Sequence, residues 1–189
     1  LATTATANTR VTEDVAAQLG AHTRVWRGPL TRSSLELAVV PGLSLLEAYA
    51  WVDEALHRLP GSGIVYALTV AEAGRLADFL AGQGHAVAAY SSATPPKDRA
   101  ALEDALRRNE LRALVATSAL GMGFDKPDLA FCLHLGSPAS PVAYYQQVGR
   151  AGRALDTAVG VLLPTAADEG VWSYFASAST PDPEHARKV

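Results

Sequence analysis

The chain has 189 residues, 49% of them hydrophobic and 19% charged, which places it among globular sequences and away from disordered, collagen-like or disulfide-dense ones. Its 16 Lys and Arg against 19 Asp and Glu give a formal charge of −3, so net charge offers no reason to expect a nucleic-acid partner. The single cysteine, Cys132, excludes an intrachain disulfide and a multi-cysteine zinc site, and no apolar run reaches the roughly 18 residues of a membrane span. The expectation is a cytoplasmic protein with no membrane partner and no metal ligands of its own. Leu1 to Thr4 show neither a basic nor an apolar signal region, and the one methionine is Met122, so the chain reads as a piece of a longer product.

In chain order, Val11, Val15 and Leu19 recur at helical spacing between Asn8 and Gly20, with Asn8 or Thr9 as N-cap and Gly20 at the C-terminal cap. Two strands are expected next, Thr23 to Arg27 and Leu35 to Val40, separated by a Gly28-Pro29 turn. Ser44 to Leu59 reads as a helix closed by Pro60-Gly61. From Gly63 onward apolar runs alternate with helical patterns. Ile64 to Leu68 precedes a helix near Ala71 to Ala81, His85 to Tyr90 precedes a helix near Lys97 to Arg108, and Arg112 to Thr117 follows. Two more runs, Ala130 to Leu135 and Ala158 to Leu163, complete the series. Such alternation implies right-handed βαβ crossovers, hence an α/β fold with a parallel sheet and helices on both faces. A domain end is expected near Ala176, with the polar stretch Ser177 to Pro183 as tail or hinge.

The most specific segment is Tyr145 to Arg153, which contains Q-x-x-G-R-x-G-R. Five fixed positions arise by accident on the order of once in ten thousand chains of this length. With the segment helical to Arg150, residues Gln146, Arg150 and Arg153 can face one cleft. Two guanidiniums with no acidic neighbour close in sequence form a receptor for a phosphate oxyanion, and phosphoryl transfer is the natural use. A second segment, Val115 to Pro127, is a strand end followed by a turn in which Gly121 and Gly123 permit close backbone approach to a ligand. At Leu68 to Glu72 a strand runs into a helix N-terminus, where Thr69 is either a phosphate ligand or a plain N-cap. Trp26, Trp51 and Trp172 are read as core or domain-junction residues, Cys132 and His134 as buried packing, and Glu103, Asp104, Arg107 and Arg108 as a solvated helix face.

Gly-Met-Gly-Phe-Asp-Lys-Pro at 121–127 and Tyr-Tyr-Gln-Gln-Val-Gly-Arg-Ala-Gly-Arg at 144–153 resemble motifs V and VI of superfamily-two helicases, most closely the RecQ-like branch. Thr4 to Ala7 resemble its motif III and Gly63 to Tyr66 its motif IV. The resemblance implies a RecA-like, P-loop NTPase-type fold. On that basis residues 1–20 are the tail of a first RecA-like domain, residues 21–176 a second, and residues 177–189 a tail or linker. The implied activity is ATP-dependent, 3′ to 5′ DNA unwinding, in the setting of DNA repair and recombination, with ATP and Mg2+ held mainly by the first domain. Arg150 and Arg153 would be the catalytic arginines. Gln146, Gly123 and Asp125 would join them around ATP, while Thr117, Ser118, Tyr66, Thr69 and Ser91 would meet DNA and Thr4 and Thr6 would couple the two sites. The sequence holds no G-x-x-x-x-G-K-[ST] loop and no Asp-Glu-x-His, so the chain alone is expected to be inactive. An RNA helicase or remodeller motor, or a degenerate motor half kept as a binding module, are the competing expectations. Departures from the branch's usual wording at Ala67 to Val70, Ser91 to Thr94, Arg32 to Ser34 and Ala154-Leu155 mark a divergent member.

Overall fold

The computed structural model describes residues 2–3, 9–20, 22–28, 32–121 and 123–179. Two compact units divide the chain, Leu1–Ser33 and Ser34–Val189. In the first, α1 (Thr9–Leu19) forms as its apolar spacing predicts, and Gly20 leaves it at φ +102° with its N–H on the Ala16 carbonyl. The strand expected at Thr23 to Arg27 is absent. Val25 and Trp26 are 57% and 88% exposed, so β-propensity there finds no neighbouring strand to pair with, and of the core or domain-junction places expected for Trp26 the core is not the one it takes.

The second unit is built on six strands, β1 (Leu35–Val39), β2 (Ser62–Ala67), β3 (Val87–Tyr90), β4 (Ala113–Ala116), β5 (Leu129–Leu135) and β6 (Ala158–Leu163). They lie in the order β1-β6-β5-β2-β4-β3, and every neighbouring pair is parallel. The helices between them are α2 (Leu45–Arg58), α3 (Val70–Gly82), α4 (Pro96–Arg107) and α5 (Pro141–Val148), and α6 (Asp168–Ser179) follows β6. Ser44 opens α2 with a capping box: its hydroxyl accepts from the Glu47 N–H and the Glu47 carboxylate accepts from the Ser44 N–H.

Parallel strands covered on both faces must be apolar throughout, and β2, β4 and β5 are buried at every residue. One face carries α2 and α3, whose Val52, Leu56, Leu76 and Leu80 pack on Val65, Val115, Phe131 and Leu133. The opposite face carries α4 and the end of α5, where Leu106, Leu120, Phe124, Val148 and Ala151 pack on Ile64, Leu114, Cys132 and Ala158. The chain therefore leaves β2 toward one face and β4 toward the other. Adjacent strands whose connections part in this way open a crevice at their carboxyl ends, and here it lies between Leu68-Thr69 and Thr117-Ser118.

Helix α6 has no counterpart among the predicted elements, and it runs unbroken through residue 176. Gly170 weakens its local signal. Its start is held from a distance: the buried Asp168 carboxylate accepts from the N–H groups of Ser137 and Thr165 and from the Thr165 hydroxyl.

Gly160 in β6 decides how closely α5 can sit. A Cβ there would lie 2.3 Å from Val148 Cγ2 and 2.7 Å from Leu37 Cδ2. Gly160→Ala should therefore lower stability by about 1–3 kcal/mol, read as a fall in the urea midpoint at unchanged slope.

Candidate functional site

Helix α5 begins with the Ser140 hydroxyl accepting from the Ala143 N–H at 3.1 Å and with Pro141 in the first turn. It ends at Val148, with the Gly149 N–H returned to the Tyr145 carbonyl. Arg150 thus lies beyond the helix, and Gln146, Arg150 and Arg153 do not share one helical face as the spacing suggested. Gln146 is exposed on α5. The arginines are placed instead by an irregular segment tied to the start of β5: Gly152 (φ +69°) donates to the Leu129 carbonyl, Ala154 donates to that of Pro127, and the Ser34 hydroxyl donates to the Gly152 carbonyl.

From there both guanidiniums reach successive residues of the segment after β4. Arg150 Nη1 donates to the Phe124 carbonyl at 2.9 Å, and Arg153 Nη1 to Asp125 Oδ1 at 2.7 Å. No acidic residue lies close to the arginines in sequence, but the fold brings Asp125, 28 residues earlier, onto Arg153. That pair is open to solvent, with side chains 40% and 57% exposed. Arg150 is half-buried, and its Nε has no hydrogen-bond partner. Gly123, two residues before Asp125, is exposed at φ +101° with open space around the position of a Cβ. Arg150, Arg153, Asp125 and Gly123 therefore form one cluster, and its donors and open backbone fit a phosphate-bearing ligand.

The crevice at the strand ends holds the other candidates. Thr117 is buried. Its N–H donates to the Tyr90 carbonyl and its hydroxyl accepts from the Ala119 N–H, which locks the turn after β4. Ser118 next to it is exposed. Thr69 caps α3 by accepting from the Glu72 N–H at 3.1 Å, in the plain capping geometry. Tyr66 and Ser91 are buried at 3% and 5% exposure. The Tyr66 hydroxyl donates to the Leu120 carbonyl, and Ser91 closes a turn with Ala93 and Thr94, so the polar groups of both are engaged within the fold. Thr4 and Thr6 lie outside the described residues.

Sequence reasoning missed Gln147, which occupies a variable position of the motif. Its side-chain carbonyl accepts from His134 Nε2 at 3.1 Å, and its backbone carbonyl accepts from Cys132 Sγ at 3.5 Å, seating α5 on β5. His134 is stacked on Tyr66 at 5.1 Å and meets Tyr144 at 4.9 Å. Tyr66, His134 and Gln147, together with Ser118, Pro138 and Trp172, line a pocket of about 270 Å³ beside the crevice. The Trp172 indole N–H donates to the Ser137 carbonyl. Burial pushes the Cys132 thiol up to about 12, in line with its reading as a packing residue.

Burial also pushes His134 from its ordinary 6.5 down to about 4. Since the unfolded chain binds the proton first as pH falls, the stability tied to neutral His134 is full above about pH 6.5 and is lost toward pH 4. Between pH 7 and pH 4 the wild type should lose on the order of 2–3 kcal/mol more than His134→Gln, measured by urea unfolding at each pH.

The family profile described as helicase conserved C-terminal domain matches residues 47–155. RecQ-like DNA helicase BLM of Xenopus laevis is 34% identical over 158 residues, covering 81% of this chain and 11% of the relative. ATP-dependent DNA helicase RecQ of Bacillus subtilis (strain 168) is 34% identical over 156 residues, covering 81% of this chain and 26% of the relative. The chain thus spans about a quarter or less of the length of these relatives. Among solved structures, Mycobacterium smegmatis helicase Lhr bound to ssDNA and AMP-PNP matches with TM-score 0.61 and 26% identity over 70% of this chain and 20% of that one. S. cerevisiae Dbp5 bound to RNA and ADP BeF3 shares the fold, with TM-score 0.75 at 19% identity over 91% of this chain and 48% of that one. Among the described residues no helix is long and apolar enough to cross a membrane.

Proposed function

This chain belongs to the helicase conserved C-terminal domain family, with RecQ-like DNA helicases as its relatives, and from that premise we propose that it is the second motor domain of an ATP-dependent DNA helicase travelling 3′ to 5′. The observation that carries the proposal is the placement of Arg150 and Arg153 on Phe124 and Asp125, because it joins the two motif segments into one anion-binding cluster.

In this reading Arg153 leaves Asp125 for the γ-phosphate when a first RecA-like domain presents ATP with its Mg2+. An exposed ion pair contributes only about 0.2–1 kcal/mol, so a polyphosphate can displace the carboxylate. Arg150, already tied to the Phe124 carbonyl, aligns the second guanidinium, and Gln146 borders the nucleotide. Asp125, once released, and the Gly123 backbone face the ribose and phosphates. At the crevice, Thr117 with exposed Ser118, and Thr69 at the α3 N-terminus, contact one strand's phosphates, while buried Tyr66 and Ser91 hold those loops in shape. Residues 1–20 then belong with the first motor domain, residues 21–176 are the second, and residues 177–189 are a tail or linker. The setting proposed with this reading is DNA repair and recombination in the cytoplasm, at the nucleoid of a prokaryotic cell.

Segment 117–125 touches both places, the crevice at Thr117 and the arginines at Phe124 and Asp125. Cleft closure on ATP would therefore be felt by the bound strand. In the full-length protein, Arg153→Ala should lower DNA-stimulated ATPase by about 10³-fold or more while leaving DNA affinity within a few-fold; an unchanged rate would remove the arginine from the site. Because backbone contacts do not encode the sugar, matched DNA and RNA duplexes separate this reading from an RNA motor: strand separation should be confined to DNA. The 189-residue chain by itself should show no ATPase, since it carries no phosphate-binding loop.

A further inference from the structure

On the face of the sheet opposite the arginine cluster, three side chains converge that the helicase reading leaves unused. Asp53 and His57 stand four residues apart on α2, so they project from neighbouring turns of one helix face. His85 arrives from the far end of α3. There Gly84, at φ +92°, donates to the Ala81 carbonyl and His85 N–H donates to that of Leu80. Those two bonds form a Schellman motif, which fixes the His85 backbone against its helix. The two helices are themselves locked by shared core packing and by the Tyr49–Phe79 ring contact. The positions of all three groups are thus set by contacts other than those among the Asp53, His57 and His85 side chains.

The donor atoms meet around one oxygen. Asp53 Oδ1 lies 2.6 Å from His85 Nε2 and 3.6 Å from His57 Nε2, and one donor atom from each residue lies within 4.8 Å of the others. The first distance is a hydrogen bond. The second is too long for one, so His57 Nε2 is aimed at the carboxylate without bonding to it. The imidazole rings are 4.4 Å apart and tilted at 47°. Tetrahedral coordination with bonds of about 2.0–2.1 Å places donors roughly 3.3–3.4 Å apart, a change that small rotations of the side chains supply. The His85 side chain is only 7% exposed and Asp53 25%, whereas His57 at 59% lies on the solvent side, free to swing inward.

We propose that Asp53, His57 and His85 bind a divalent transition-metal ion, with Zn2+ the best fit, and leave a fourth position to water. Two imidazoles and one carboxylate suit Zn2+, Ni2+ or Co2+ and not the oxygen-seeking Mg2+ or Ca2+, so the site is chemically distinct from any nucleotide-bound magnesium. Its consequence is a clip between α2 and the turn after α3, next to the start of β3.

The test uses the untagged chain with ZnCl2, followed by isothermal titration calorimetry and thermal unfolding. Wild type should bind one Zn2+ per chain, and its Tm should rise by about 5–10 °C at a hundredfold excess over Kd, with no rise in millimolar MgCl2. Asp53→Asn keeps an acceptor for His85, and exposed His57→Ala leaves the core untouched; each should weaken Zn2+ at least tenfold with little change in the metal-free Tm. His22→Ala should change nothing. CoCl2 should give the visible absorption of a four- or five-coordinate ion that both variants lose. Wild-type protein that binds no Zn2+ at ~100 µM, or variants that bind it as tightly as wild type, would overturn the proposal.

Discussion

The close seating of α5 on the sheet is the constraint from which the arginine cluster follows. Val148 reaches the sheet only because Gly160 offers no side chain, and Gln147 fastens the same turn to Cys132 and His134. With the helix end fixed, the backbone bonds of Gly152 and Ala154 to the start of β5 leave Arg150 and Arg153 one place to go, the Phe124-Asp125 corner. A side chain at position 160 would lift the helix and move both guanidiniums at once. Most of the fixing groups are apolar or backbone atoms, and only the last link is a charge pair.

What was legible in the sequence was whatever is decided locally. Ser44 with Glu47 marks a helix start because the two groups cap each other three residues apart, and β6 falls on the expected Ala158 to Leu163 because both of its faces are covered. The two motif segments were likewise visible as short strings of fixed residue types. Their contact was not: Arg153 meets a carboxylate 28 residues away across a sheet strand, and no local pattern encodes it. Distance also hid α6, whose first carboxylate is held by Ser137 as well as by Thr165, and removed the strand at Thr23 to Arg27, where β-propensity found no edge. The helix end at Val148 was misjudged for a related reason, since Gly149 and Gly152 act through backbone turns that a helical wheel does not represent.

The two ends of segment 117–125 have different mechanical character. Thr117 is buried and bonded on both its N–H and its hydroxyl, so that end moves with β3 and β4. Asp125 is exposed and is held by the Arg153 guanidinium. Displacement is therefore easiest at the arginine end and most resisted at the crevice end.

Asp125 can also be viewed as a counter-ion built into the chain. A bare guanidinium pair would attract inorganic phosphate, nucleotides and nucleic-acid backbones indiscriminately, and would do so in competition with every anion of the cell. By holding Arg153 at 2.7 Å, the carboxylate adds a small cost, about 0.2–1 kcal/mol, that an anion pairing with this guanidinium has to meet. That cost comes from an intramolecular competitor, and a sum over charged residues is blind to it.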